Sequence, residues 1–183
     1  MKTQTYTGRA LHLAVASILA VGVGAFSVNS YAGEDTDNLT VSATLVESCI
    51  VTASPVVFGN YDPIITNLSL DIEQNGAVAT TCSTGATGVV LLDQGQNGTG
   101  SLAEPVRFMK TGAGGATEKL GYQLYSGGAH TTVWGGTKAT GKAFVAQDGT
   151  TETSLTVYGT LPAGQNKKAG AYTDTVVVTI DFT

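Results

Sequence analysis

The sequence predicts an all-β domain, a sandwich or barrel, on three observations. From residue 33 onward the chain is rich in Gly, Thr, Val and Ala and poor in charge. It carries no sustained 3.6-residue apolar period, and its short alternating runs are separated by clusters of Gly, Asn, Asp and Ser, the pattern of strands joined by turns. Strands are expected near 39–47, 49–58, 77–82, 87–93, 105–109, 120–126, 142–146, 152–159 and 174–182. Turn chemistry falls between them at "GQNGTG" (Gly95–Gly100), "TGAGG" (Thr111–Gly115), "SGG" (Ser126–Gly128), "QDGT" (Gln147–Thr150) and "PAGQNKKAG" (Pro162–Gly170).

Ahead of the strands, Lys2 and Arg9 precede the apolar run "ALHLAVASILAVGVGAF" (Ala10–Phe26), and Ser30 and Ala32 form an A-x-A-like site. Residues 1–32 therefore read as a secretory signal peptide. An uncleaved anchor competes, because the run approaches spanning length; the small residues and the acidic stretch that follow favour cleavage, and no stable membrane insertion is expected. Cleavage leaves residues 33–183, 151 in all, enough for one domain with its own core. Lys2 and Arg9 leave with the leader, so seven basic residues face 14 acidic ones, a net charge of −7. That balance argues against nucleic acid and anionic membranes as partners.

The first strand, "LTVSATLVES", puts Leu39, Val41, Ala43 and Leu45 on one face and Thr40, Ser42 and Thr44 on the other, with Val46 as an apolar intrusion. Only Glu47 and Ser48 precede Cys49, too few for a hairpin onto the next strand. The expected organisation is thus an N-terminal extension at 33–48, free to pair outside its own domain, and a folded domain at 49–183. Cys49 and Cys82, an even pair in an exported chain, are expected to form a disulfide. The last strand, "DTVVVTIDF", places Val176, Val178, Ile180 and Phe182 on one face against Thr175, Val177, Thr179 and Asp181, and the sequence stops one residue beyond it.

Catalytic, cofactor and metal sites are not expected. His130 has no free cysteine beside it if the disulfide forms, no G-x-S-x-G elbow is present, and "GAGGAT" (Gly112–Thr117) lacks the ending of a phosphate loop. Two thiols and the single histidine beyond the leader are too few soft ligands for a metal. No spacing among the carboxylates marks a glycosidase pair. Trp134, in "YSGGAHTTVWGG", supports two readings, a core anchor or a sugar-stacking platform.

The stretch "CIVTASPVVFGNYDP" (Cys49–Pro63) resembles the opening of the spore coat protein U family, secreted domains that include pilin subunits of archaic chaperone-usher pili. "TTCSTG" (Thr80–Gly85), "LGYQLYSGGAHTTVWGG" (Leu120–Gly136) and "VYGTLPAGQNKKAGAYTDTVVVTIDF" (Val157–Phe182) agree in order. The most specific pieces are "FGNYDP" and the G-x-Y-x-D-T-V pattern at Gly170, Tyr172, Asp174, Thr175 and Val176. The resemblance implies an immunoglobulin-like sandwich that lacks its final strand. A periplasmic chaperone would fill the gap until, at an outer-membrane usher, the N-terminal extension of a neighbouring subunit replaced it. It also implies that Leu39, Val41, Ala43 and Leu45 are donor residues and that Val176, Val178, Ile180 and Phe182 line or border the acceptor groove. The expected product is a homopolymeric or heteropolymeric pilus at the cell surface, serving adhesion or biofilm formation. A coat protein deposited on a spore or cell surface, and a secreted sugar-binding module built on Trp134, are the competing readings.

Overall fold

A computed structural model describes residues 33–112 and 118–183; the signal peptide read at residues 1–32 lies outside them. Residues up to Ser42 and Ala43–Thr183 form separate units. The described part of the first, residues 33–42, has no regular secondary structure. Among the described residues no helix is long and apolar enough to cross a membrane.

The second unit is all-β, with ten strands among the described residues: β1 (Cys49–Ser54), β2 (Ile72–Cys82), β3 (Thr87–Leu92), β4 (Thr99–Gly100), β5 (Pro105–Thr111), β6 (Lys119–Tyr125), β7 (Lys142–Val145), β8 (Thr153–Leu161), β9 (Tyr172–Thr173) and β10 (Val178–Phe182). The larger sheet runs β1-β2-β8-β6-β5-β4, with β9 added to β5; the smaller runs β10-β3-β7. Alternation in the sequence becomes two inner faces. Leu120, Tyr122 and Leu124 of β6, Val157 and Leu161 of β8, and Val78 of β2 meet Val90 and Leu92 of β3 and Phe144 of β7 in one core.

Several strands depart from their expected bounds for physical reasons. β1 stops at Ser54 rather than 58, because Pro55 has no N–H for the ladder. The chain then crosses the larger sheet, and Gly76 and Gly159 make room for it. A Cβ on Gly76 would sit 2.8 Å from Val56 Cγ2, and one on Gly159 would sit 2.6 Å from Val56 Cγ1. β2 begins at Ile72, five residues before the expected start, because the polar "IEQNG" is paired register by register with Leu161–Val157 of β8. The expected strand at 174–182 is shortened to β10, and the two-residue β9 lies ahead of it on β5. Between them the backbone bonds irregularly to the 93–96 turn, through Val177 O to Asp93 N and Thr175 O to Gln96 N. The expected strand at 39–47 is not formed, since a single strand without a partner leaves its backbone groups to water.

Cys49 and Cys82 are joined, as expected, at the register pair where β1 meets β2. Closing a loop with a sequence separation of 33 residues stabilises by about 3–4 kcal/mol in the chain-entropy treatment.

An apolar groove between two sheet edges

Among the described residues β1 is bonded only to β2, and β10 only to β3, so each is the outer edge of its sheet. These edges lie on the same side of the sandwich. Near Cys49 they approach each other; farther along they diverge around a groove of about 1140 Å³. One wall is the end of β1 at Ala53 and the segment after it, through Val56, Phe58, Tyr61 and Pro63; the other is the stretch from Tyr172 to Val178; and Val78, Leu120, Tyr122, Leu124, Val157 and Leu161 form the floor. Apolar core side chains thus face an opening that no strand among the described residues covers.

Both sequence signatures build these walls. In "FGNYDP", Phe58 packs edge-on against Tyr122 at 6.2 Å between centroids. The Tyr61 hydroxyl donates to Pro162 O at 2.9 Å and accepts from Gln165 N at 2.9 Å, tying the first wall to the turn after β8. The Asp62 carboxylate accepts from Ile64 N and Ile65 N, closing a tight turn. In the second signature, Tyr172 donates to Lys168 O at 2.8 Å. Asp174 accepts from the Tyr122 hydroxyl at 2.7 Å and from Asn97 Nδ2 at 2.9 Å. Gly95 has φ +78° and lies so close to this carboxylate that a Cβ would collide with it.

Of the residues expected to line or border the groove, Val176 and Val178 are part of its wall. Ile180 packs against the core beyond the groove's end, where β1 and β10 draw together, and Phe182 is partly exposed. Leu39, Val41 and Leu45 are almost wholly exposed, and Ala43 is exposed with them. Trp134 is 0% exposed, with its indole N–H donated to Val90 O at 2.8 Å. It offers no face to a sugar, which removes the residue on which the sugar-binding reading rested. His130 sits in the loop after β6 at φ +53°, its Nδ1 2.6 Å from the Thr160 hydroxyl.

Sequence reasoning passed over Arg107, although a lone arginine in the apolar alternation of β5 was a visible signal. Its side chain is 1% exposed. The guanidinium donates to Leu92 O at 3.0 Å, to Asp93 O at 2.7 Å, to Trp134 O at 2.7 Å and to Gln123 Oε1 at 2.6 Å. Burial holds its pKa down to about 10, partly offset by Tyr122, Asp93 and Asp174, so it stays charged at neutral pH.

Burial, and then the hydrogen bond to Asp174, raise the Tyr122 phenol well above its ordinary value of 10.0. A raised phenol keeps its stabilising effect below the unfolded pKa and loses it as pH climbs toward the folded one. Above pH 10 the wild type should therefore lose about 1.4 kcal/mol per pH unit relative to Tyr122→Phe. Paired denaturant melts between pH 9 and 11.5 read the difference, and a flat difference would contradict this placement of the phenol.

The profile of the Spore Coat Protein U domain matches residues 35–179. Protein U of Myxococcus xanthus is 36% identical over 182 residues, covering 94% of this chain and 99% of that protein. A solved chaperone–tip adhesion subunit pre-assembly complex, CsuC–CsuE from the archaic chaperone-usher Csu pili of Acinetobacter baumannii, is similar with a TM-score of 0.48 and 22% identity, over 76% of this chain and 41% of that one. With the profile spanning most of the sequence and Protein U aligned almost end to end, the chain belongs to the Spore Coat Protein U domain family.

Proposed function

We infer that this chain is a structural subunit of a surface pilus, polymerised by donor-strand complementation. The observation that carries the reading is the groove, an apolar floor open to solvent between two unpaired sheet edges. An exposed edge above exposed core side chains is an aggregation hazard unless a partner covers it. An incoming strand satisfies it by β-augmentation, in which main-chain hydrogen bonds supply affinity and alternate side chains fill the groove. The extension at 33–48 has the matching chemistry in Leu39, Val41, Ala43 and Leu45. Because each subunit gives a strand and receives one, the contact is head-to-tail and does not close, which yields a filament. On this reading the leader at 1–32 exports the chain to the periplasm, a chaperone covers the groove there, an outer-membrane usher exchanges it for the next subunit's extension, and the domain at 49–183 is displayed at the cell surface in adhesion or biofilm formation.

Size-exclusion chromatography and negative-stain electron microscopy of the full chain and of a deletion of residues 33–47 test this. Fibres from the full chain alone are expected, with the deletion held in a chaperone complex or aggregated. Stable monomers from both would sink the proposal. A second reading, a coat protein laid down on a spore or cell surface, draws on the family's description; sheet-like or amorphous surface deposits without fibres would favour it.

A further inference from the structure

We propose that the loop Pro63–Leu70 is a second subunit–subunit contact, an apolar crown at the groove mouth that packs against the start of β1 in the adjoining copy of this chain. The proposal rests on the donor-strand reading above. Within seven residues this loop shows Ile64, Ile65, Leu68 and Leu70 at 64%, 78%, 61% and 62% exposure. Four large apolar side chains held in water together call for a partner. The loop is built to present them. Asn67 is 3% exposed; its Oδ1 accepts from Asp62 N at 2.9 Å and its Nδ2 donates to Leu70 O at 2.9 Å. Asn67 O also accepts from Gly164 N at 2.8 Å, which fastens the loop to the turn after β8. The polar hub faces in and the aliphatic groups face out.

The adjoining copy is identified by chain length and direction. Every strand pair touching β10, β3 and β1 is antiparallel, and antiparallel addition is the better hydrogen-bonded choice for a strand beside β10. A donor laid antiparallel to β10 points its N-terminal end toward Phe182, where the groove closes, and finishes with Leu45 at the open end near Val176 and Tyr172. That end of the groove is walled by Tyr61, Pro63 and Gln165, and the crown begins at the next residue, Ile64. Between Leu45 and the donor's own β1 only Val46, Glu47 and Ser48 remain, a reach of about 14 Å from Leu45 to Cys49 when fully extended. So short a leash brings the donor's domain against the mouth it has just left. The surface it presents there is also apolar, with Val46 72% and Ile50 67% exposed. Crown and β1 start thus meet as two desolvating apolar patches, a contact that fixes the angle between successive subunits where the donor strand alone would leave a hinge.

The test is a photocrosslink in assembled fibres of the full chain, with Ile65 replaced by p-benzoylphenylalanine and the adducts mapped by mass spectrometry. Adducts to residues 46–52 of a neighbouring subunit are expected. Adducts confined to the same subunit, to another part of the neighbour, or absent from intact fibres would overturn the contact and leave donor-strand assembly standing. Should the unsubstituted chain form no fibres, both ideas fall together. A companion variant, Ile65→Glu with Leu68→Glu, should still give fibres but with a persistence length at least threefold shorter in electron micrographs; an unchanged persistence length at wild-type thermal stability counts against the crown.

Discussion

Val41→Asp is expected to abolish fibre growth while leaving the domain folded and able to bind its chaperone. Val41 is almost wholly exposed and stands in the middle of the apolar face of the extension, so the single chain has no stake in it. In the proposed fibre it enters a neighbour's groove. Burying Leu39, Val41 and Leu45, with a smaller share from Ala43, contributes roughly 6–10 kcal/mol before ordering costs. The aspartate removes about 1.5–3 kcal/mol of that and adds a carboxylate to an apolar slot with no counter-charge, at a cost of several kcal/mol more. A combined loss above about 4 kcal/mol is at least a thousandfold in the exchange equilibrium. Electron microscopy of the variant reads fibre formation, and a thermal melt of its chaperone complex checks the fold. Normal fibres from Val41→Asp would refute the donor assignment.

Arg107→Met should destabilise the domain by about 3–5 kcal/mol, a large share of the 5–15 kcal/mol typical of a domain. Methionine fills a similar volume and brings no charge, so the loss measures the guanidinium's hydrogen bonds rather than packing. Those bonds join the end of β3, in the smaller sheet, to Trp134 O and to Gln123 of β6, in the larger. Without them the carbonyls of Asp93 and Trp134 lose a donor in the interior, and each buried polar group left unsatisfied costs about 1–3 kcal/mol. Arg107→Lys keeps the charge but not the planar fork, and should recover less than half of the loss. Denaturant unfolding with the Cys49–Cys82 disulfide intact provides the comparison; a Met variant within 1 kcal/mol of wild type would show that the network contributes little.

The sequence by itself determined the all-β class, the disulfide partners and the two stretches that matter most, because each is written in short-range terms. Alternation along Leu120–Tyr125 needs only the period of a strand, and Cys49 and Cys82 were the only thiols to pair. "FGNYDP" and the Gly170–Val176 pattern were distinctive as strings before their roles were visible. Their placement as opposite walls of one groove was not legible, since they are more than a hundred residues apart in the chain. Nor was the break of the last strand at Asp174–Val177, which follows from the bonds that Val177 and Thr175 make to the 93–96 turn. Trp134 read as a core anchor with a sugar platform as the alternative, and only the carbonyl of Val90 and the closure of the core around the indole decided between them. Arg107 looked like one more polar residue in a strand until three backbone carbonyls and a glutamine from distant segments were gathered around it. Local pattern is set by which face of a strand each residue occupies. What that face meets is set by long-range pairing, and the open seam between β1 and β10 exists because neither edge strand has a second partner among the described residues.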